Sequence, residues 1–408
     1  MKIALFSPLN PVKTGISDYN EELLFELSRH LDIDIYIQKG YIPTNENIRT
    51  RFNIIPYDSK SFDFSRYDEI LYHMGNNYDA HGYIYEALKE HPGVVVLHDY
   101  VLQGFYAERY EATGDFKMYF QLQKKYYGER GESIANNIAR PETLPIWESS
   151  AAVDYPLNED ILESAKAVIV HSDFIKEKIQ DRFPIPIVKI NSHAYTIKTF
   201  DRNKVRDQLG INRDCILVSS IGYINKNKRF DIILSALDEL RNPELTYVIA
   251  GQDRGNLLKN YIEEKNLRII VKGHLFLEEL EALIDASDIC INLRYPTMGE
   301  SSGALLRMMG YGKPVLVTNF GSYADFPDYS VLKIDPDLDE KELIKRFVKT
   351  LIQEKDFCRS VGEEAASYVR EECSIKKCAL EYASFLKNQV NKPLLEISKG
   401  AMENDKSR

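Results

Sequence analysis

Residues 289–318 read ICINLRYPTMGESSGALLRMMGYGKPVLVT. The stretch begins and ends with short apolar runs, Ile289–Leu293 and Val315–Thr318, which predict two buried strands. Between the runs lie a loop of small residues and a leucine- and methionine-rich segment that predicts a helix from about Ala304. A strand, a loop, a helix and a second strand in this order are typical of a parallel α/β sheet, in which ligands bind beyond the carboxyl ends of the strands.

The same alternation runs along most of the chain. Several apolar runs are continuous and rich in β-branched residues, which indicates parallel strands buried on both faces. The further predicted strands are Lys2–Phe6, Ile33–Ile37, Glu69–His73, Val94–His98, Ala167–His171, Ile216–Ile221, Thr246–Ala250 and Arg268–Val271. Segments with helical spacing lie between them, at Asp18–His30, Phe230–Glu239 and Leu277–Ala286.

The chain has 408 residues, which is too long for one ordinary hydrophobic core. The strand pattern restarts after the stretch 184–213, which lacks a long apolar periodicity and is predicted to be a connector. We therefore predict two doubly wound, Rossmann-like α/β domains, 1–195 and 205–370, that face each other across a cleft. Residues 371–390 are predicted to form a C-terminal helix, and residues 391–408 a disordered tail.

Composition and charge exclude several classes of protein. The net charge of −10 argues against nucleic acid as a partner. No apolar run is long enough to span a membrane, and the first residues do not form a signal peptide, so we expect a cytoplasmic location. The five cysteines match no zinc-binding spacing. The stretch 116–130 mixes aromatic and basic residues, which is compatible with peripheral contact to an anionic membrane or with a solvated amphipathic helix.

In the first half of the chain, candidate binding residues follow the predicted strands. A glycine before a helix lets backbone N–H groups approach an anion, and Gly15 stands before a helix whose N-cap candidates are Ser17 and Asp18. Asn76 lies in a polar turn after the third predicted strand. His98 and Asp99 end a wholly apolar strand, so we expect both side chains to point into the cleft.

In the second half, a glycine turn and a group of cations follow the strand that ends at Ile221. The turn and the segment after it contain Gly222, Tyr223, Asn225, Lys226, Lys228 and Arg229. Cations beside a helix N-terminus form an anion site that suits phosphate or diphosphate.

The loop before the helix of the opening stretch carries one acidic residue, Glu300, among small residues. Ser301, Ser302 and Gly303 are good residues for a helix start, and their N–H groups are available to an anion. A carboxylate beside a phosphate site suits a ligand that has both phosphate groups and sugar hydroxyls. The loop therefore predicts a nucleotide-sugar site.

Four segments together resemble the family 4 retaining glycosyltransferases of the GT-B fold. They are TGISDY, VVVLHDY, GYINKNKRFD and GESSGALLRMMGYGKPVLV, and the resemblance extends over residues 1–385. It implies transfer of a sugar, with retention of configuration, from a nucleotide-sugar donor to a glycan, lipid-linked or protein-linked acceptor. It also implies that no metal ion or other cofactor is required.

The resemblance also implies roles for particular residues. Gly15 would lie near the diphosphate, His98 would contact the donor sugar with Asp99 beside it, and Glu300 would contact the sugar hydroxyls. The donor diphosphate would be bound by Lys228, Arg229, Arg307 and the N–H groups of Ser301, Ser302, Gly303 and Ala304. The donor or acceptor would pass Asp18, Asn76, Tyr223 and Asn225 in the cleft.

The chain departs from the family pattern at two positions. A second glutamate, which holds the ribose, is expected eight residues after the first, but Met308 is there. Alignment from the Gly-Lys-Pro end instead places Arg307 at the second glutamate and Gly299 at the first, so neither alignment gives a second carboxylate. We expect Arg307 either to face the phosphates or to pair with Glu300. The arginine that often follows the turn glycine is replaced by Tyr223. Loss of the ribose carboxylate suits a deoxyribose donor such as a dTDP-sugar.

Two other interpretations fit the sequence. A GT-B phosphorylase or a nucleotide-sugar epimerase would share the fold, although no feature demands the free-phosphate pocket or the pyridoxal phosphate of a phosphorylase. A catalytically silent nucleotide-sugar-binding partner of another transferase would explain the missing second glutamate.

Overall fold

The computed structural model describes residues 1–391 apart from residues 139, 141, 195–196, 254, 264 and 337–338. It contains two parallel sheets, of seven and six strands, with helices packed against both faces of each. The predicted doubly wound α/β architecture is therefore confirmed. Every strand predicted from the sequence is present, and no predicted strand end differs from the observed one by more than one residue.

The first sheet has the strand order β3-β2-β1-β4-β5-β6-β7, and every neighbouring pair is parallel. Its strands are β1 (Lys2–Phe6), β2 (Asp32–Ile37), β3 (Asn53–Pro56), β4 (Glu69–Met74), β5 (Val94–Leu97), β6 (Ala167–Val170) and β7 (Ile187–Lys189). The strand order reverses direction between β1 and β4, where ligands of such sheets bind.

The second sheet repeats the plan with the order β10-β9-β8-β11-β12-β13, again wholly parallel. Its strands are β8 (Ile216–Ile221), β9 (Leu245–Ala250), β10 (Arg268–Lys272), β11 (Ile289–Asn292), β12 (Val315–Thr318) and β13 (Leu332–Ile334). Here the order reverses between β8 and β11, so the loops after these two strands lie side by side.

The helices pack against the two sheets and form separate hydrophobic clusters with each of them. Those of the first half are α1 (Gly15–Leu27), α2 (Glu46–Arg51), α3 (Tyr78–Glu90), α4 (Gln103–Thr113), α5 (Phe116–Ile138), α6 (Glu159–Leu162) and α7 (Asp173–Gln180). Those of the second half are α8 (Arg202–Gln208), α9 (Phe230–Glu239), α10 (Leu257–Ile262), α11 (Leu277–Ala286), α12 (Gly303–Gly310), α13 (Glu340–Gln353), α14 (Lys355–Glu372) and α15 (Ile375–Asn391).

The stretch 184–213 is more ordered than the sequence predicted. It contains strand β7 at the edge of the first sheet and helix α8, which packs against α11. The sequence did not predict these elements because β7 has three residues and α8 has seven, and neither is long enough to show a periodicity. The sequence also missed β3 and β13, which are edge strands of four and three residues.

The last helix, α15, returns to the first domain. Its side chains Cys378, Tyr382 and Leu386 lie in the same core cluster as Leu23 and Leu27 of α1. The hydroxyl groups of Tyr382 and of Tyr19 on α1 are 3.0 Å apart. The chain therefore crosses between the domains twice. Of the predicted disordered tail, 391–408, Asn391 ends α15, and residues 392–408 lie outside the described residues.

The aromatic and basic stretch 116–130 forms most of α5. Phe116, Phe120 and Tyr127 pack against the core of the first domain. The exposed Lys124 and Lys125 make ion pairs within the same domain. This is an amphipathic surface helix, and membrane contact remains a prediction. None of the helices within the described residues is both long and apolar enough to cross a bilayer.

Candidate functional site

The loops at the carboxyl ends of the two sheets contact each other directly. The backbone N–H groups of Tyr100 and Val101, after β5, both donate to the carbonyl oxygen of Met298 at 2.9 Å. Gly299 has a φ of 77°, and a Cβ atom there would lie 2.5 Å from the Cβ of Tyr100. Only glycine therefore permits this approach of the loop before α12 to the loop after β5.

A crevice lies between the domains beside these contacts. The first domain lines it with residues that include His171 and Ser192, and the second with Glu300, Ser301 and Tyr323. The hydroxyl groups of Ser192 and Ser301 are 3.1 Å apart across the boundary. The predicted interdomain cleft is thus present, and the loop of the opening stretch forms one wall.

Lys228 lies in a short 3₁₀ turn between β8 and α9 and is 5% exposed. Among the described residues, its Nζ donates to two acceptors, both neutral, at 3.3 Å to Oδ1 of Asn292 and 3.5 Å to the carbonyl of Ile221. Within the described residues it has no ion pair with a carboxylate. Burial, and then the charge of Arg294, hold the pKa of Lys228 well below its usual value. A buried ammonium with weak partners is suited to receive an anion.

The backbone at Gly222 leaves room for this ammonium. Gly222 follows β8 with a φ of 113°, a conformation that favours glycine. A Cβ atom at position 222 would lie 3.3 Å from the Nζ of Lys228. Gly222 therefore allows the chain to turn after β8 and leaves space for the Lys228 side chain.

The N-terminus of α12 lies next to Lys228 through a shared neighbour. Ser302 is the N-cap of α12, and its Oγ accepts from the backbone N–H of Leu305 at 3.2 Å. Asn292 contacts both groups, because its Nδ2 donates to Oγ of Ser302 at 3.4 Å while its Oδ1 accepts from Lys228. The Tyr323 hydroxyl is close to both Asn292 and Ser302, and it is buried without a well-formed hydrogen bond to any described residue. Polar side chains with unused hydrogen-bonding capacity therefore lie together beside the N-terminus of α12.

The Glu300 carboxylate is fully engaged by its own loop. One oxygen accepts from Nη1 of Arg294, and the other accepts from Oγ1 of Thr297 at 2.9 Å and from the backbone N–H of Met298 at 2.8 Å. Burial alone would raise the pKa of Glu300, but the charge of Arg294 and these hydrogen bonds bring it below its usual value. Glu300 is therefore an ionised, fixed carboxylate.

Asp99 lies across the domain boundary from Glu300. Its Oδ2 accepts from the backbone N–H of Asn76 at 2.8 Å. Burial and the negative charge of Glu300 raise the pKa of Asp99 to about 7. The cleft thus contains one carboxylate that is ionised and one that changes its protonation state near neutral pH.

Four buried histidines lie close to the carboxyl ends of the neighbouring strands β4 to β7. They are His73, His98, His171 and His193. Nδ1 of His73 and Nε2 of His98 are 2.9 Å apart, which requires one of the two nitrogens to donate and the other to accept. Burial, and then the charge of His171, hold the pKa of both rings well below the usual value. His98 is therefore a neutral ring in an orientation that His73 holds.

Residues 201–368 match the sequence model of the family described as Glycosyl transferases group 1. This match covers most of the second domain. Over 289 residues it is 25% identical to an uncharacterized glycosyltransferase, MJ1069, of Methanocaldococcus jannaschii, a match that covers 67% of this chain and 71% of that protein.

Solved structures show the same fold over nearly the whole chain. Sucrose-phosphate synthase from Thermosynechococcus elongatus has a TM-score of 0.64 at 15% identity, and the match covers 95% of this chain and 98% of that chain. Alr3699/HepE of Anabaena, in complex with UDP-glucose, has a TM-score of 0.63 at 15% identity over 95% and 100% of the two chains. WaaG, a glycosyltransferase involved in lipopolysaccharide biosynthesis, has a TM-score of 0.59 at 16% identity over 94% and 99%. The fold is GT-B.

Two of the cations predicted for the diphosphate have carboxylate partners. Arg229 pairs with Glu340 at the start of α13, with 2.6 Å between Nη2 and Oε2. Arg307 donates to Glu281 of α11 at 2.6 Å and to Glu22 of α1 at 3.2 Å. The expected pair between Arg307 and Glu300 is wrong, because Arg294 takes that place.

The N-cap of α1 also differs from the prediction. The helix begins at Gly15, and Thr14 is its N-cap, with a hydroxyl oxygen that accepts from the backbone N–H of Ile16 at 2.9 Å. Ser17 lies inside the helix and donates to the carbonyl of Val12. Asp18 accepts from Asn10 at the protein surface. Neither Ser17 nor Asp18 caps the helix, because the turn closes earlier in the chain than expected.

The remaining predicted cleft residues differ in exposure. The side chain of Asn76 accepts from the backbone N–H of Phe105 at 2.7 Å and so caps the first turn of α4. Gly15, Tyr223 and Asn225 are exposed near the loops at the carboxyl ends of the strands. Among the described residues, no group of three or more histidine, cysteine, aspartate or glutamate side chains is arranged to hold a metal ion.

Sequence reasoning missed Arg294, Tyr323 and the three histidines that surround His98. His73 and His171 were the last residues of predicted strands, so the rule that selected His98 also applied to them. Arg294 lay two residues beyond a strand end, in the very stretch that the sequence singled out. Tyr323 had no comparable signal, because its neighbours Asn292 and Ser302 are distant in sequence.

The raised pKa of Asp99 predicts a pH-dependent stability. Between its unfolded pKa near 4 and its folded pKa of about 7, the folded state binds more protons, so stability falls as pH rises through this window. The Asp99→Asn variant has no carboxyl group at this position, so it lacks this loss of stability. We expect the free energy of unfolding of Asp99→Asn to rise relative to wild type by up to about 2 kcal/mol between pH 5 and pH 8.

Chemical unfolding of both proteins at pH 5 and pH 8 measures this difference. Asp32→Asn, at the exposed start of β2, is the control for general effects of charge. An identical pH dependence in wild type and Asp99→Asn would show that Asp99 is ionised throughout the range.

Proposed function

We propose that the chain is a metal-independent, retaining glycosyltransferase that moves a sugar from a nucleotide-sugar donor to a glycan, lipid-linked or protein-linked acceptor. The observation that carries this proposal is the buried Lys228 ammonium, which lies without a carboxylate partner among the described residues beside the N-terminus of α12. Such a site favours a diphosphate over a neutral ligand, and the GT-B fold supports a donor bound at this edge of the second sheet.

In the proposed reaction, the bond between the anomeric carbon and the donor phosphate breaks and leaves negative charge on the diphosphate. Lys228 and the N–H groups after Ser302 stabilise this charge without having to reorganise. The acceptor hydroxyl attacks the same face of the anomeric carbon, and its proton passes to the leaving phosphate. His98 and Asp99 flank the sugar and acceptor from the first domain, and closure of the crevice between the domains excludes water.

The nucleotide and acceptor are proposed as classes. The complex of Alr3699/HepE with UDP-glucose supports a nucleoside diphosphate sugar. Arg307 in place of a second glutamate keeps a dTDP-sugar among the donors to test. The involvement of WaaG in lipopolysaccharide biosynthesis supports a glycan of the cell surface as acceptor. A cytoplasmic enzyme that contacts the membrane peripherally through the basic face of α5 would suit a lipid-linked acceptor.

The proposal is tested with UDP-, GDP-, ADP- and dTDP-sugars in the presence of EDTA. We expect one nucleoside diphosphate to raise the melting temperature, its sugar conjugate to raise it further, and the conjugate to be hydrolysed slowly without acceptor. NMR of the released or transferred sugar reports the anomeric configuration, for which we expect retention.

Each alternative has its own outcome in this experiment. Stabilisation by a nucleotide sugar with neither hydrolysis nor transfer to glycan or lipid acceptors would identify a silent binding partner. Phosphorolysis or sugar epimerisation would identify the other GT-B activities. No stabilisation by any of the nucleotides would overturn the proposed donor site.

A further inference from the structure

Arg294 lies against the turn that holds Lys228. It follows β11 by two residues, and its backbone N–H donates to Oγ1 of Thr318 at 2.8 Å. The backbone N–H of the next residue, Tyr295, donates to the carbonyl of Asn227 at 2.7 Å. This hydrogen bond joins the Arg294 loop to the residue just before Lys228, so the two cations enter the cleft from adjacent loops.

The guanidinium of Arg294 is only partly used. Nη1 donates to Glu300, whereas Nε is buried and has no hydrogen-bond partner among the described residues. Nη2 makes no hydrogen bond to any part of the chain that the structure describes. A buried N–H without a partner is costly, so its retention calls for a ligand. The Nε and Nη2 groups form the edge of a guanidinium that binds phosphate with two parallel hydrogen bonds.

Glu300 fixes the direction of this edge. Its two oxygens already accept from Arg294, Thr297 and Met298, so the loop holds the carboxylate and the carboxylate holds the guanidinium. Arg294 is 19% exposed in its side chain and therefore keeps an opening to the cleft.

The charges favour an anion between the two loops. Arg294 and Lys228 have like charges on adjacent loops, and the charge of Arg294 contributes to the lowered pKa of Lys228. Glu300 compensates for one positive charge, and its contacts are on the Nη1 side of the guanidinium. An anion with two or more charges that contacts both cations would remove the repulsion and satisfy the unpaired N–H.

We propose that Arg294 is the second cation of the donor diphosphate site and that Glu300 positions it. This inference rests on the proposed function. It assigns to Arg294 the place of the arginine that the family resemblance implied after Gly222, where this chain has the exposed Tyr223. In this arrangement the two phosphates contact Lys228 after β8 and Arg294 after β11, on adjacent loops.

The test measures binding of UDP, dTDP, GDP and ADP, each beside its nucleoside, to the full chain by calorimetry. A charged hydrogen-bond pair contributes about 1.5 to 3 kcal/mol, so Arg294→Gln is expected to weaken binding of the preferred diphosphate about 10- to 150-fold. Binding of the nucleoside should not change, because it has no phosphate. Arg294→Lys should recover part of the loss, since it keeps the charge but not the fork.

Lys228→Gln and Arg202→Gln are measured in parallel. Arg202 pairs with Asp288 at 3.0 Å in the same domain and serves as the matched control, for which we expect unchanged binding. If Lys228→Gln weakens diphosphate binding and Arg294→Gln does not, the role of Arg294 is refuted while the donor site stands. If wild type binds no diphosphate, the proposed function and this inference both fail.

A double-mutant cycle tests the part assigned to Glu300. If Glu300 acts by positioning Arg294, Glu300→Gln weakens diphosphate binding in wild type, and adds little in the Arg294→Gln background. Full additivity of the two losses in diphosphate affinity would show that Glu300 contributes independently of Arg294. Near-ultraviolet circular dichroism of each variant checks that the fold is retained.

Discussion

Replacement of Lys228 with glutamine is expected to lower kcat/KM for sugar transfer by about two to four orders of magnitude, with most of the loss in kcat. The ammonium is buried beside the N-terminus of α12, where a positive charge gains most as the diphosphate acquires negative charge. The interaction therefore strengthens in the transition state, and its loss raises the barrier more than it weakens donor binding.

The same substitution is expected to leave stability unchanged or to raise it. Lys228 is 5% exposed and has two long hydrogen bonds to neutral acceptors, which offset little of the cost of desolvating its charge. Loss of activity together with undiminished stability distinguishes a functional charge from a structural one.

Transfer rates and melting temperatures of Lys228→Gln and Lys226→Gln measure both effects. Lys226 lies in the same turn, but it is exposed and pairs with Glu148 at 3.0 Å, so its replacement should change transfer little. Equal losses of transfer in both variants would show that the turn, and not the buried charge, is what the reaction needs. Transfer by Lys228→Gln at the wild-type rate would remove Lys228 from the mechanism.

The fold could be predicted from the sequence because its central strands are buried on both faces. Such strands are continuous apolar runs, and β1, β8 and β12 begin and end at the residues that the pattern predicted. The missed strands β3, β7 and β13 lie at sheet edges and are only three or four residues long. Their pairing comes from the neighbouring strand and not from a local pattern.

Part of the candidate site could also be predicted from local sequence patterns. Lys228 and Ser302 are close to local signals, a glycine turn and a helix start, and the sequence selected both. The contacts that decide how these groups act join distant segments, such as Asn292 between Lys228 and Ser302 or Asp99 opposite Glu300. A local pattern can name the residues at strand ends but cannot say which of them pair across the cleft.

Arg307 shows this limit most clearly. From the motif alone, Arg307 is a substitution for an expected glutamate, and its partner was sought nearby at Glu300. The structure places it between Glu281 of α11 and Glu22 of α1, which belongs to the other domain. Glu22 also lies 3.3 Å from Nε2 of His193, so the arginine is the centre of a network that joins the two domains.

Restoring the expected glutamate is therefore predicted to damage the protein. Arg307→Glu would place a third carboxylate beside Glu281 and Glu22, with Glu281 only 2% exposed. Removal of one partner from a buried ion pair costs about 3 to 5 kcal/mol, and the added repulsion increases the loss. We expect Arg307→Glu to lower the free energy of unfolding by about 4 kcal/mol or more and to lower sugar transfer with it.

Chemical unfolding of Arg307→Glu, Arg307→Gln and the double variant Arg307→Gln/Glu281→Gln tests this argument. The double variant should recover much of the stability that Arg307→Gln loses, because no uncompensated charge stays buried at Glu281. If Arg307→Glu were as stable as wild type and bound the donor nucleotide more tightly, position 307 would still be a ribose-binding position. Loss of stability with rescue in the double variant would instead show that position 307 stabilises the contact between the two domains. The donor nucleotide would then be bound without a carboxylate at this position.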